Sequence, residues 1–249
     1  MPESFSSILI TGASSGIGAA LAGHYAGPSI RLVLHGRDSD RLDAVALACR
    51  TKGAEVETAR FDVIDREACA DAVRNADAIR PLDLVIANAG IGGGNAETSD
   101  AVLKVMEVNF GGVLNTLLPA LDAMAPRRRG TVALVSSLAS FRGLPGGAAY
   151  GASKAAVRLL GEGLRAPYLQ RGLKISVVLP GFVISPMTAR NTNAMPLLMP
   201  AERAAAIIAS GLAQGKARIA FPRRMLALTY LLMMLPPDFV DRYMLGIRR

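Results

Sequence analysis

Three polar side chains near the middle of the chain have the types and spacing needed to move a proton. Tyr150 and Lys154 stand four residues apart in Tyr150-Gly-Ala-Ser-Lys154, and Ser137 precedes them. A free tyrosine hydroxyl has a pKa of about 10 and is a poor acid or base at neutral pH. A lysine one helical turn later lies on the same face and stabilises the phenolate, so Tyr150 becomes suited to proton transfer. A serine hydroxyl nearby can hydrogen-bond a developing alkoxide. Ser136 competes with Ser137 for this position.

A glycine-rich turn near the N-terminus has the features of an anion-binding site. The string Thr11-Gly-Ala-Ser-Ser-Gly-Ile-Gly18 follows an apolar segment and has the spacing G-x-x-x-G-x-G. Glycine permits a tight turn and lets the backbone approach a pyrophosphate, whose charge the N–H groups at a helix start can bind. The turn therefore predicts a dinucleotide site. An ordinary helix start capped by Ser14 or Ser15 is the alternative.

The elements that must position these residues alternate along the chain. Apolar runs predict strands at Ser7–Thr11, Arg31–His35, Val56–Phe61, Leu84–Ala87, Val132–Val135, Ile175–Leu179 and Ala217–Ala220. Helical patterns lie near 16–26, 39–52, 65–79, 98–125, 153–170 and 201–214. This alternation predicts an α/β fold with one doubly wound, Rossmann-like parallel sheet and helices on both faces. We predict one domain over residues 1–249, with no linker.

Taken together, the motifs resemble the short-chain dehydrogenase/reductase family, in its short single-domain form. The resemblance extends through Asp62-Val63, Asn88-Ala89-Gly90, Asn109, Ser137, Tyr150, Lys154 and Pro180-Gly181, in family order, and covers residues 8 to about 188. It implies about seven strands in the order 3-2-1-4-5-6-7. It also implies an NAD(P)(H)-dependent oxidoreductase that interconverts an alcohol and a ketone or aldehyde.

The resemblance assigns a role to each matching position. The implied catalytic residues are Asn109, Ser137, Tyr150 and Lys154, with Asn109 holding a water that links Lys154 to solvent. Lys154 also binds the nicotinamide ribose. The implied cofactor-binding residues are Gly12, Ser14, Ser15, Gly16, Ile17, Gly18, Arg37, Asp62, Val63, Asn88, Ala89, Gly90, Tyr150, Lys154, Pro180, Gly181, Val183 and Ser185.

Two groups of these positions have more specific implied contacts. Asp62 and Val63 border the adenine, whereas Asn88 and Gly90 support the central strand and the cofactor. The Val183 N–H and the Ser185 hydroxyl face the carboxamide end. Family members often have threonine where Ser185 stands, so Thr188 is a rival for that contact.

The end of the second predicted strand bears on the choice between NADP and NAD. A carboxylate there would bind the ribose hydroxyls and repel a 2′-phosphate. This chain has Gly36 followed by Arg37, and an arginine pairs with phosphate through charge-assisted hydrogen bonds. We therefore expect NADP(H), with NAD(H) as the alternative. Asp38 opposes this choice, but it is better explained as the N-cap of the next helix.

Two late segments interrupt the alternation. Residues 182–200 are rich in proline and methionine and predict a mobile apolar lid at the carboxyl edge of the sheet, or else an irregular connection. From Phe221 onward, Arg223-Arg224 precedes an apolar helix that ends at Pro236-Pro237. This tail, about 221–249, is a subunit interface, a cover over the cleft or core, or a membrane-surface element. Both segments favour a hydrophobic substrate, for which Phe141, Leu144, Met187 and Met195 are candidate contacts.

Composition narrows the possible partners and surroundings. The formal net charge is +8, but the arginine clusters are short and scattered, which favours solvated charge and an anionic cofactor over nucleic acid. Cys49 and Cys69 are expected to be reduced core thiols, as in a cytoplasmic protein. We find no signal peptide and no stretch of the roughly 20 apolar residues that spans a bilayer. His24, expected to pack within the first helix, and His35 have no metal-ligand spacing.

The family usually assembles through its fourth and fifth helices, here 98–125 and 153–170, so a homodimer or homotetramer is implied. Two other functions stay open from the sequence. One is a non-catalytic NADP(H)-binding regulatory protein. The other is a membrane-surface-associated reductase that processes lipids.

Overall fold

The central element is a single parallel sheet. A computed structural model of the protein describes residues 3–92, 98–143, 145–191, 194–236, 238 and 240. The strands are β1 Ser7–Ile10, β2 Arg31–His35, β3 Glu55–Ala59, β4 Leu84–Ala87, β5 Gly130–Val135, β6 Leu173–Pro180 and β7 Arg218–Phe221. They form a seven-stranded sheet in the order β3-β2-β1-β4-β5-β6-β7, which confirms the predicted topology. The order reverses between β1 and β4, where doubly wound folds bind their ligands.

Helices cover both faces of the sheet. They are α1 Gly16–Tyr25, α2 Ser39–Thr51, α3 Arg66–Ile79, α4 Ser99–Met106, α5 Gly112–Met124, α6 Ala148–Gln170, α7 Pro186–Ala189, α8 Ala201–Ala213 and α9 Arg223–Met234. Leu21, Leu42 and Ile208 bring α1, α2 and α8 into the core on one face. On the other face Val73, Leu117 and Val157 do the same for α3, α5 and α6. Burial on both sides explains why the strands are continuous apolar runs.

A π-helical turn, Glu107–Gly111, joins α4 and α5 into one continuous helix, Ser99–Met124. By length and composition alone this helix is able to cross a membrane, a possibility that the sequence prediction did not foresee. Its inner side, however, is part of the sheet core through Val113, Leu117 and Leu121. A Cβ on Gly112 would lie 2.6 Å from Val63 Cγ2, so α5 packs closely against the segment after β3. We interpret it as a core helix.

Several local predictions can be compared with the structure. The Asp38 carboxylate accepts a hydrogen bond from Arg41 N at 3.0 Å and caps α2, as predicted. Cys49 and Cys69 are buried free thiols, also as predicted. The expectation for His24 was wrong, because its ring is exposed at the end of α1 and contacts Tyr25 edge-on.

Candidate active site

Strand β5 and helix α6 bring the three proton-handling candidates together. Ser137 follows the end of β5, while Tyr150 lies in the first turn of α6 and Lys154 in the second. The helix begins at Ala148 and not near 153, because the backbone turns at Gly147 and two alanines then favour helix. Lys154 Nζ lies 5.9 Å from the centroid of the Tyr150 ring.

Burial controls the charge state of this group. Lys154 is 3% exposed, and its ammonium donates to Val135 O at 2.9 Å. Removal from water disfavours the charged form and lowers the pKa of Lys154 to about 8. Burial also raises the pKa of the Tyr150 hydroxyl, while its hydrogen bond to Ser137 acts in the opposite direction. No carboxylate among the described residues pairs with Lys154, so its charge is available to a neighbouring phenolate.

Asn109 lies in the π-helical turn and is fully buried. Its side chain accepts from Ile91 N at 2.7 Å and donates to Ile91 O and to Ser153 Oγ at 3.0 and 3.1 Å. A Cβ on Gly90 would lie 3.0 Å from Asn109 Oδ1 and 3.3 Å from Lys154 Nζ. The amide therefore fixes the chain after β4 beside the lysine. Its water-holding role stays a prediction.

The glycine turn is cross-linked to the segment after β4. Gly12 has φ of +67°, and a Cβ there would lie 2.8 Å from Ala89 Cα, so the position requires glycine. Thr11 Oγ1 accepts from Asn88 N and Ala89 N at 3.0 and 3.2 Å. The Asn88 amide donates to Thr11 O and Gly12 O at 2.9 and 3.1 Å. Sequence reasoning quoted Thr11 but missed this role; the signal was a hydroxyl directly after a buried strand.

The start of α1 fits a bound anion. Ser15 occupies the N-cap position in an extended conformation, but its side chain makes no capping hydrogen bond within the described residues. The first turn also contains no acidic residue. Ser15 therefore takes the N-cap position without the hydrogen bond that an ordinary serine cap makes. N–H groups left without a side-chain acceptor suit the pyrophosphate of a dinucleotide.

The ends of β2 and β3 form the neighbouring part of the site. Arg37 Nη1 pairs with Asp62 Oδ2 at 3.2 Å, and the arginine side chain is 57% exposed. His35, which sequence reasoning placed only as a strand end, accepts from Gly12 N at 3.5 Å through Nδ1. Its Nε2 donates to Phe61 O at 2.8 Å in this tautomer. Burial lowers the pKa of His35, so the neutral ring links the glycine turn to the end of β3.

Comparison with known proteins agrees with this geometry. The family model described as short chain dehydrogenase matches residues 6–196. The chain belongs to the short-chain dehydrogenase/reductase family. It is 38% identical to an uncharacterized oxidoreductase of Myxococcus xanthus over 96% of both chains. It is 34% identical to gluconate 5-dehydrogenase of Gluconobacter oxydans over 73% of both. A short-chain dehydrogenase from Sphingobium yanoikuyae in complex with NADPH has a TM-score of 0.81 at 25% identity, covering 93% of this chain and 97% of that one.

In this short-chain dehydrogenase/reductase the predicted lid is anchored at both ends. Val183 and Met199 form a parallel β-bridge, with Ile184 N donating to Met199 O and Met199 N to Phe182 O at 2.9 and 3.1 Å. Between them, Ser185 and Thr188 form a reciprocal capping box around α7. The Ser185 and Thr188 hydroxyls, the two candidates for the carboxamide contact, therefore hydrogen-bond each other. Residues 192–193 lie outside the described residues.

The lid also closes over the loop after β4. A Cβ on Gly92 would lie 3.3 Å from Met187 Cγ, and one on Gly16 would lie 3.0 Å from Ser185 Cβ. Met187 and Ile184 remain exposed, whereas Met195 is partly buried. The candidate contact Leu144 lies outside the described residues. The lid thus lies close to both the glycine turn and the loop after β4.

The inner side of helix α9 packs on the hydrophobic core of the domain. Met225 and Leu226 contact the cluster formed by Leu138, Val177 and Leu179. Arg142 Nη1 donates to Leu232 O and Leu235 O at the end of the helix, at 3.2 and 3.0 Å. The Phe141 and Tyr230 ring centroids are 5.1 Å apart. One of the three explanations for the tail, packing on the domain's own core, therefore holds for this side of α9. Residues 241–249 of the predicted tail lie outside the described residues.

Proposed function

We propose that this short-chain dehydrogenase/reductase interconverts an alcohol and a ketone or aldehyde, prefers NADP(H), and acts on a hydrophobic substrate. The observation that carries the proposal is the meeting of Ser137, Tyr150 and buried Lys154 at the sheet edge that also holds the uncapped start of α1. A dinucleotide and a proton donor are both needed for such a reaction, and this edge offers residues for each.

Each polar side chain has a part in the proton transfer. When bound, the nicotinamide supplies a hydride to the carbonyl carbon, or accepts one in the reverse direction. In reduction the Tyr150 hydroxyl donates its proton to the substrate oxygen, and in oxidation the phenolate takes that proton back. The Ser137 hydroxyl hydrogen-bonds the same oxygen as negative charge develops on it. The Lys154 ammonium stabilises the phenolate.

The pKa of Lys154 suits its role of stabilising the Tyr150 phenolate. At about 8 it leaves the lysine mostly charged at neutral pH. A charge held in a water-poor site acts more strongly on a neighbouring phenolate than one in bulk water. We therefore expect the lysine to lower the phenol pKa while it is protonated, which opposes the increase that burial causes.

The preference for NADP(H) is supported by the ends of β2 and β3. Gly36 leaves no carboxylate to repel a 2′-phosphate, and a side chain there would contact Ser14, since a Cβ would lie 3.1 Å from Ser14 Cβ. The exposed Arg37 guanidinium is available for charge-assisted hydrogen bonds. The solved relative from Sphingobium yanoikuyae that is bound to NADPH agrees with this choice.

The substrate class and the assembly are further parts of the proposal. Ile184, Met187, Leu197 and Leu198 make the lid apolar, which favours a hydrophobic carbonyl compound. Exposed leucines on α4, α5 and α6 support a homodimer or homotetramer through these helices: Leu103, Leu118 and Leu159. Two buried free thiols are compatible with the reducing cytoplasm.

A carbonyl screen with NADPH tests the proposal. Purified protein is given a panel of hydrophobic ketones and aldehydes, and NADPH consumption is followed by absorbance. Tyr150→Phe should reduce turnover by about 100- to 10,000-fold, because the proton donor is lost, while NADPH still binds. Tyr168→Phe, at the far end of α6, is the matched control and should keep its activity.

Two results would contradict parts of the proposal. If Tyr150→Phe turns over as fast as the wild type, the tyrosine is not the proton donor. If the wild type binds NADPH tightly but consumes none across the panel, the regulatory protein without catalysis is favoured.

A further inference from the structure

The outer side of α9 is an apolar face. Leu228, Leu231 and Met234 are exposed on this side, Met234 by 82%. Tyr230 borders the face, because its ring also contacts Phe141. Met233 is exposed too, but helix periodicity places it on the line of Leu226, toward the core. The inner side of the same helix is occupied by its contacts with the Leu138, Val177 and Leu179 cluster and with Arg142. A face with this many exposed apolar side chains on one short helix marks an interaction surface.

Two arginines begin this face. Arg223 and Arg224 are exposed, and neither forms an ion pair with a described residue. Helix periodicity places Arg223 on the line of Tyr230 and Met234, and Arg224 on that of Leu231. Positive charges at a helix N-terminus oppose the macrodipole, so these arginines do not stabilise the helix itself. Their placement instead suits an anionic partner.

We propose that this face docks on an anionic lipid surface. An amphipathic helix with arginines and apolar side chains binds in the interfacial region, where the guanidinium groups reach phosphate headgroups and the apolar side chains enter the acyl boundary. A second copy of the chain is a poorer match. The helix Arg-Arg-Met-Leu-Ala-Leu-Thr-Tyr-Leu-Leu-Met-Met contains no acidic residue to pair with the arginines of a partner, and each copy carries a net charge of +8.

The position of α9 connects this surface to the cleft. The helix follows β7, and a Cβ on Gly181, directly after β6, would lie 2.9 Å from Met225 Sδ. The lid, with exposed Ile184 and Met187, leaves the same edge of the sheet. Docking through α9 would therefore bring the carboxyl edge close to the lipid. If the proposed function holds, a hydrophobic substrate could enter from the bilayer.

Vesicle co-sedimentation of the full chain tests this proposal without requiring activity. We expect binding to vesicles of phosphatidylcholine mixed with phosphatidylglycerol, and little to phosphatidylcholine alone. The double variant Arg223→Gln/Arg224→Gln should bind about 30-fold more weakly, since each basic residue near an anionic surface contributes about 1 kcal/mol. Leu231→Ser/Met234→Ser should lose binding as well. Leu47→Ser, a 62% exposed leucine on α2, and Arg203→Gln on α8 are the matched controls.

Circular dichroism and NADPH binding of each variant show whether the fold and cofactor site are intact, so failure of the docking proposal is distinct from failure of the proposed function. Absence of binding to anionic vesicles would overturn the docking proposal. So would binding that the α9 variants leave unchanged. If sedimentation velocity shows that Leu231→Ser/Met234→Ser dissociates an oligomer and no vesicle binding occurs, the face is a subunit interface and the proposal fails.

Discussion

Replacing Arg37 by glutamine tests how the site distinguishes NADPH from NADH. In the structure the guanidinium pairs with Asp62 at 3.2 Å and is more than half exposed. A 2′-phosphate would compete with Asp62 for this group. The change to glutamine removes the charge and keeps much of the side-chain length, so the loss should fall on NADPH alone.

The size of the effect follows from the exposure of Arg37. A hydrogen bond to a charged group contributes about 1.5–3 kcal/mol, and an exposed one lies at the lower end. About 1.5 kcal/mol corresponds to roughly tenfold in dissociation constant. Asp62 loses its partner in the variant and then repels the phosphate, so roughly tenfold is a lower bound.

The assay is a fluorescence titration of wild type and variant with NADPH and with NADH. Arg60→Gln is the matched control, because Arg60 lies just after β3 as Arg37 lies just after β2, is similarly exposed and pairs with a carboxylate, that of Asp43. The explanation is refuted if Arg37→Gln weakens NADPH and NADH equally, or if Arg60→Gln has the same effect. Equal binding of both cofactors to the wild type would overturn the proposed preference itself.

Three further predictions concern the buried groups and the turn. The pKa of Lys154 in the folded chain, about 8, lies below its ordinary 10.5, so between these values the unfolded chain binds more protons and the free energy of unfolding rises with pH. Lys154→Met should therefore have a free energy of unfolding higher than that of the wild type by up to about 3 kcal/mol at pH 7. Chemical denaturation should show this difference shrinking as the pH is raised from 8 to 10.5. A difference that does not depend on pH would contradict the stated cause. Gly18→Ala should lower NADPH affinity by at least about tenfold, because a Cβ would overlap Gly12 O and lie 2.7 Å from Asn88 Nδ2. Gly163 has open space around it, so Gly163→Ala should leave the affinity unchanged in the same titration. Burial raises the pKa of Cys69 to about 12 and also raises the pKa of Cys49. Neither thiol should therefore react with a disulfide reagent near pH 8 until the protein is unfolded. Rapid labelling of the native protein would show that burial does not protect the two thiols.

The sheet topology was predictable because its signals are local and repeated. Buried parallel strands appear as apolar runs, and each is followed by a helical pattern, so their order follows from the family resemblance and the alternation. The carboxyl-edge positions of the glycine turn, Ser137 and Lys154 then follow from the strand ends. Asp38 as an N-cap was also visible, because a capping carboxylate stands directly before its helix.

Features that depend on one residue of register were not predictable in this way. The π-helical turn adds a residue to a helix without changing its composition, and the apolar period does not reveal it. The start of α6 depended on the backbone at Gly147 and not on the apolar pattern that begins later. The interactions of His35 with Gly12 and Phe61 join three segments that are distant in sequence, so only the folded chain brings them together.

The bridge between Val183 and Met199 has a consequence for engineering. Because the two ends of the lid are hydrogen-bonded to each other, the segment between them is a loop that starts and ends at the same place on the sheet edge. Its length and composition can be varied while the chain re-enters the domain at the same point, immediately before α8. A library confined to that segment would change the wall of the cleft and leave the proton-transfer residues in place. The segment between Val183 and Met199 can therefore be replaced as a unit.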